Sequence, residues 1–171
     1  MSLSDKTVLL ALLSGCLSPG ALAYDTQIAV TGNLIGNSCT VTADSRNINV
    51  QLGAIGTRQL SAAGSLSDKI PFIIKLEECA ATFTGVKISF TATPDPDNPQ
   101  LIKVNGDAGG VAIQLMDEKQ NPLALGTQTE AYGLTGNNSV ALKFYASLIA
   151  KQTTVSAGTV SATATWVMEY Q

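Results

Sequence analysis

Cys16, Cys39 and Cys79 are the residues of this chain whose chemistry is most readily named. Metal binding and redox exchange both need more than the sequence offers, because no CxxC pair occurs and no histidine is present. Enzymatic catalysis is equally short of parts: there is no Gly-rich phosphate loop, and no paired carboxylates are flanked by strand or helix signals. Asp95 and Asp97 stand close together among Pro94, Pro96 and Pro99. With no further ligand in the pattern, they read as a solvated turn rather than a calcium loop. A disulfide is the chemistry left, and its partners depend on where the chain is sent.

The N-terminus supplies that address. Lys6, an apolar run over 8–13 and the small-residue ending Ala21-Leu22-Ala23 have the layout of a secretory signal peptide, so residues 1–23 are set aside and Tyr24 becomes the first mature residue. Ser14, Gly15, Ser18, Pro19 and Gly20 break the run well short of the ~20 apolar residues a membrane span needs. A second reading stays open, because Leu13-Ser14-Gly15-Cys16 resembles a bacterial lipobox with Cys16 as the lipidated residue. The mass of the mature N-terminus separates the two.

Export places Cys39 and Cys79 in an oxidising compartment, where such a pair becomes a disulfide. Closing the loop of 40 residues between them contributes about 4 kcal/mol in the chain-entropy model. The 148 residues that remain of 171 suit one domain with one core. Lys6 and Asp5 cancel, so the mature part keeps the formal charge of -3, which gives no footprint for nucleic acid. Charged residues make up only 13% of the chain, against abundant Thr, Ser, Ala, Val and Gly, as in a secreted β-protein.

The elements that position these cysteines have a period of two. Ile48, Val50 and Leu52 alternate with Asn47, Asn49 and Gln51, and Phe72, Ile74 and Leu76 with Ile73, Lys75 and Glu77. The pattern recurs at Val86, Ile88 and Phe90, at Val111, Ile113 and Leu115, and at Val140, Leu142 and Phe144. Each predicts a strand with one face in the core. Turn signals punctuate them: Gly53 and Gly56, the proline-rich 94–99 stretch, Asn105-Gly106 and Gly136-Asn137-Asn138. No sustained helical stripe occurs, although 60–66 has room for a short helical turn. Several short strands so punctuated predict an all-β sandwich.

Two further strands are expected at the ends of the mature chain. Over 160–170 the even positions Val160, Ala162, Ala164, Trp166, Met168 and Tyr170 share a face, and just after residue 23 so do Thr26, Ile28, Val30, Gly32 and Leu34.

Taken in order, Ile28-Ala29-Val30-Thr31-Gly32, Asn37-Ser38-Cys39-Thr40-Val41, the 71–79 stretch ending at Cys79, and Gly110-Val111-Ala112-Ile113-Gln114-Leu115 resemble the chaperone-usher pilins. In that family a glycine stands fourteenth from the end and a tyrosine is penultimate; here these are Gly158 and Tyr170. The resemblance spans the whole mature chain. Phe144-Tyr145-Ala146-Ser147-Leu148-Ile149-Ala150 and the ending 162–171 look most like the tip-adaptor subunits of type 1 fimbriae.

The resemblance implies an incomplete immunoglobulin-like β-sandwich, lacking its final strand, over 36–171. It implies an N-terminal donor-strand extension over 24–35 that presents Ile28, Val30, Gly32 and Leu34. It makes Gly158, Val160, Ala162, Ala164, Trp166, Met168, Tyr170 and Gln171 the acceptor groove and chaperone contact. The expected partners are a periplasmic chaperone, an outer-membrane usher and neighbouring subunits. No cofactor, metal, nucleic acid or small-molecule substrate is expected, and the route runs through the periplasm to the surface fimbrium. Two other roles are weighed beside the minor tip adaptor: a major rod pilin of the same family, and a self-contained secreted sandwich that binds a ligand. A two-domain adhesin would need a receptor-binding domain before the pilin domain, for which 148 residues leave no room.

Overall fold

A computed structural model describes residues 29–32, 36, 38–133, 136 and 138–171. Residues 1–23, expected to form a signal peptide and including Cys16, lie outside the described residues, as do Ile28 and Leu34. The chain divides into two compact units, Met1–Leu34 and Ile35–Gln171. In the first, the described residues 29–32 adopt no paired strand, and Val30 is 90% exposed.

The second unit is built almost wholly of strands. Alternation makes them: a strand that places every second residue on an apolar face must bury that face against another sheet. In chain order they are β1 (Thr40–Val41), β2 (Ile70–Glu77), β3 (Val86–Ala92), β4 (Val111–Met116), β5 (Pro122–Leu123), β6 (Val140–Ala150) and β7 (Ala164–Tyr170). One sheet has the order β1-β2-β6-β4-β5 and the other pairs β3 with β7, all antiparallel. The register sets Phe72 beside Phe144 in the first sheet and Phe90 beside Trp166 in the second.

Between the sheets lies the core. Ile74, Leu76, Val86, Ile88, Leu142 and Phe144 are fully buried there. Phe144 packs edge-on against Phe90 at 5.1 Å and against Tyr132 at 5.7 Å, and Phe72 closes the aromatic group at 5.7 Å from Phe144. Edge-to-face packing of this kind adds to the stabilisation that burial gives. The Cys39–Cys79 disulfide forms where β1 meets the end of β2, fixing Thr40 opposite Glu77.

In four places the structure departs from the expected elements. Ile48, Val50 and Leu52 are half-buried and Asn49 and Gln51 exposed, as expected, yet 47–53 pairs with no strand. The 160–163 stretch that leads into β7 makes no ladder with β3 and has a single isolated bridge, from Ser161 to Asn105, so the regular strand starts at Ala164. The helical turn expected over 60–66 falls earlier, as a 3-10 turn at Thr57–Leu60 that ends on the buried Leu60. A four-residue helix α1 (Ala43–Arg46) is added; it places the Ser45 hydroxyl 2.8 Å from the Lys75 N–H, which donates to it.

Candidate functional site: an open cleft along the C-terminal strand

β7 hydrogen-bonds to β3 along one edge. Its other side faces a cleft of about 600 Å³. One wall is formed by 160–164 and Trp166, the opposite wall by 46–53, and the floor by Phe72, Phe90, Ile102, Ile113, Leu115 and Ala146. Gly53 and Val160 also border a second hollow of about 290 Å³, which carries the groove on past Leu60, Val111, Leu148, Val155 and Gly158. Both sheets therefore contribute core side chains to the floor of one long groove.

Burial marks where the sandwich is open. Val160, Ala162, Trp166 and Met168 on the inward face of the terminal segment are only half-buried, as are Ile48, Val50 and Leu52 on the facing wall, whereas Ile74, Ile88, Leu142 and Phe144 deeper in the sandwich are fully buried. Among the described lining residues only Arg46 is charged. The groove offers apolar floor between two extended main-chain segments, the geometry that accepts an added strand: backbone groups pair along the edge and alternate side chains drop inward.

Of the residues singled out from the sequence, Val160, Ala162, Ala164 and Trp166 line the main cleft and Gly158 its extension. Met168, Tyr170 and Gln171 do not line it. Met168 packs on the core. The Tyr170 hydroxyl donates to the Cys39 carbonyl at 2.9 Å, and its ring meets Phe83 edge-on. The Gln171 N–H donates to the Gly85 carbonyl at 2.9 Å, and its own carbonyl accepts from the Thr84 hydroxyl at 2.5 Å. The end of β7 is thus tied to the disulfide and to the start of β3.

Gly158 owes its identity to close approach. A Cβ there would stand 2.3 Å from the Ala108 nitrogen, because 105–110 and 156–161 lie side by side. The second wall, 46–53, and the floor residues were not recognised as a site in the sequence. The alternation at Ile48, Val50 and Leu52 was the available signal, but it does not distinguish a paired strand from one bordering a gap.

The acidic turn behind the groove also differs from expectation. Asp95 is buried rather than solvated: Lys151 reaches its two oxygens at 3.1 and 2.9 Å, and the Asp97 and Asn98 N–H groups donate to Oδ1 at 3.0 and 3.3 Å. Lys151 also pairs with Asp97 at 2.6 Å. Burial pushes the Asp95 carboxyl up, but Lys151 and the two N–H groups outweigh it and hold the carboxyl below its ordinary value. Hydrogen bonds from Lys151 to Asp97 and Asp95 raise the ammonium.

An immunoglobulin-like sandwich opened along its last strand defines a class, that of the pilus subunits. A family profile described as "Fimbrial protein" matches residues 28–171, and the chain belongs to that family. It is 33% identical to the S-fimbrial protein subunit SfaG of Escherichia coli O6:K15:H31 over 97% of this chain and 99% of that protein. It is also 33% identical to the fimbrial-like protein FimF of Salmonella typhimurium, over 85% and 84% of the two chains. Among solved structures, a type I fimbria protein and antigen of Burkholderia pseudomallei superposes with a TM-score of 0.62 at 30% identity, covering 77% of this chain and 88% of that one. The P pilus rod subunit PapA shares the fold, with a TM-score of 0.66 at 20% identity over 78% and 99%.

Proposed function

We propose that this protein is a structural subunit of a chaperone-usher fimbria that polymerises by donor-strand exchange and supports adhesion, at a minor tip-adaptor position. The observation that carries the reading is the groove itself, an apolar floor drawn from both sheets between two extended walls. In this reading residues 24–35 of one subunit fill the groove of the next. Ile28, Val30 and Leu34 enter pockets, and Gly32 allows the backbones to come close where no pocket is deep. Burial of each aliphatic side chain contributes about 1.5 to 3 kcal/mol. A periplasmic chaperone would fill the groove first and hold the Gln171 carboxylate through charge-assisted hydrogen bonds, before an outer-membrane usher directs the exchange.

The test uses the pilin domain expressed without residues 24–35 and titrated with synthetic donor peptides. A matching peptide is expected to raise its melting temperature steeply, whereas a domain that refolds to a stable monomer unaided is a self-contained sandwich. The chain's own 24–35 peptide is one arm: a rod pilin accepts it, while an adaptor prefers the extension of a different subunit. In cells, Ile28→Asp with Val30→Asp should leave the chaperone complex intact and stop incorporation into the fibre. Deleting Tyr170 and Gln171 should abolish chaperone capture.

A further inference from the structure

The loop that follows β3 crosses from one sheet to the other and carries part of the groove with it. Ile102 lies on the groove floor and exchanges both backbone hydrogen bonds with Ile113 of β4, at 2.9 and 3.0 Å. Three residues on, Asn105 exchanges both with Ser161 on the groove wall, at 2.7 and 2.8 Å. The loop folds on itself through Asp95 N–H to the Leu101 carbonyl and Lys103 N–H to the Thr93 carbonyl, each 2.9 Å. Its buried Asp95 is held by Lys151, which stands just past the end of β6 in the other sheet and whose own N–H donates to the Gly110 carbonyl at 2.8 Å.

We propose that Lys151, through Asp95 and Asp97, is a positioning residue for strand acceptance: it clasps the 94–103 loop to the five-stranded sheet and so fixes Ile102 in the groove floor. Nothing in the clasp touches the groove directly, since Asp95, Asp97 and Lys151 are absent from its lining. The effect on a bound strand is transmitted through the hairpin from Asp95 to Leu101 and the adjoining Ile102. Lys151 is 19% exposed and Asp95 only 3%, so the pair is shielded enough from solvent to set one loop geometry. This inference rests on the reading of the groove as a strand acceptor.

The experiment follows release of a synthetic donor-strand peptide from the full mature chain, residues 24–35 of this chain or, where the groove prefers it, the matching extension of a neighbouring subunit. Its readout is the fluorescence of Trp166, the single tryptophan of the sequence and a groove-wall residue. Lys151→Met is expected to speed release about tenfold, with Lys151→Arg restoring most of the loss. A purely stabilising role is separated by combining Lys151→Met with Ile102→Ala. If Lys151 acts through Ile102, the double variant releases the peptide little faster than Ile102→Ala alone, whereas Lys151→Met and Trp166→Phe multiply, the latter read by peptide labelling. Asp97→Asn, a milder change at an exposed carboxylate, guards against loss of folding and should speed release by a smaller factor. Unchanged release in both the Lys151→Met and Asp97→Asn proteins, or independent effects of Lys151 and Ile102, overturns the clasp while leaving the groove reading intact. If the wild-type chain binds neither this peptide nor a donor peptide from a neighbouring subunit, both fall together.

Discussion

The Tyr170 hydroxyl reaches the Cys39 carbonyl across 131 positions of sequence. Removing it as Tyr170→Phe keeps the ring against Phe83 and leaves a partly buried carbonyl without its donor, which should cost about 1 kcal/mol in a denaturation midpoint measured on the peptide-filled subunit. The Asp95–Lys151 pair makes a second residue-scale prediction, on pH. The Asp95 carboxyl is held below its ordinary value, so its contribution is present above about pH 4 and is lost as pH falls through the folded-state value. Lys151 is raised, so its contribution is present below about pH 10 and is lost as pH climbs through the folded-state value. Urea midpoints of wild type and Asp95→Asn should therefore differ at neutral pH, by about 2 to 3 kcal/mol, and converge in acid. A gap that persists at the most acid pH the fold survives would place the stabilisation in packing rather than charge.

At the scale of elements, the close pairing of 105–110 with 156–161 is the feature most exposed to mutation. Gly106 has a φ of +124°, and a Cβ on it would meet the Thr159 carbonyl oxygen at 2.1 Å. Gly158 is equally tight against Ala108. Gly158→Ala should lower stability by about 2 to 3 kcal/mol, and Gly106→Ala by at least as much because strain adds to the clash. Thermal unfolding of the two variants, each with and without donor peptide, checks this. These contacts also show where sequence reading stops. The strands around Phe72, Val86, Val111 and Val140 were legible because a period of two is local, and Cys39 with Cys79 because export leaves them one partner each. The neighbour of Gly158 was not legible: close approach depends on a segment about 50 positions away, and no local pattern encodes it. The same holds for Ile102, which has no strand of its own, and for 46–53, whose alternation says that one face is apolar but not what covers it.

At the scale of the whole molecule, the direction in which a strand can fill the groove follows from the fold. Gly53 and Val160 share the second hollow, while Arg46 and Trp166 line only the main cleft, so the 46–53 and 160–166 walls run in opposite senses. A peptide joined behind Gln171 by a short turn must enter at the Trp166 end and run back along β7, antiparallel to it, because a tight two-strand connection permits no other sense. Leu34 would then arrive near the aliphatic hollow at Leu60, Val111 and Leu148. A chain lacking 24–35 at its start and carrying that sequence behind Gln171 should fold unaided. With three aliphatic side chains contributing about 1.5 to 3 kcal/mol each, it should melt at least 20 °C above the same chain without the added segment. Shifting the appended sequence by one residue turns Ile28, Val30 and Leu34 to the outer face and should erase most of that gain, since a strand's faces alternate. Equal melting temperatures for the two registers would mean that the groove takes up the chain as covering rather than as a strand with addressed side chains.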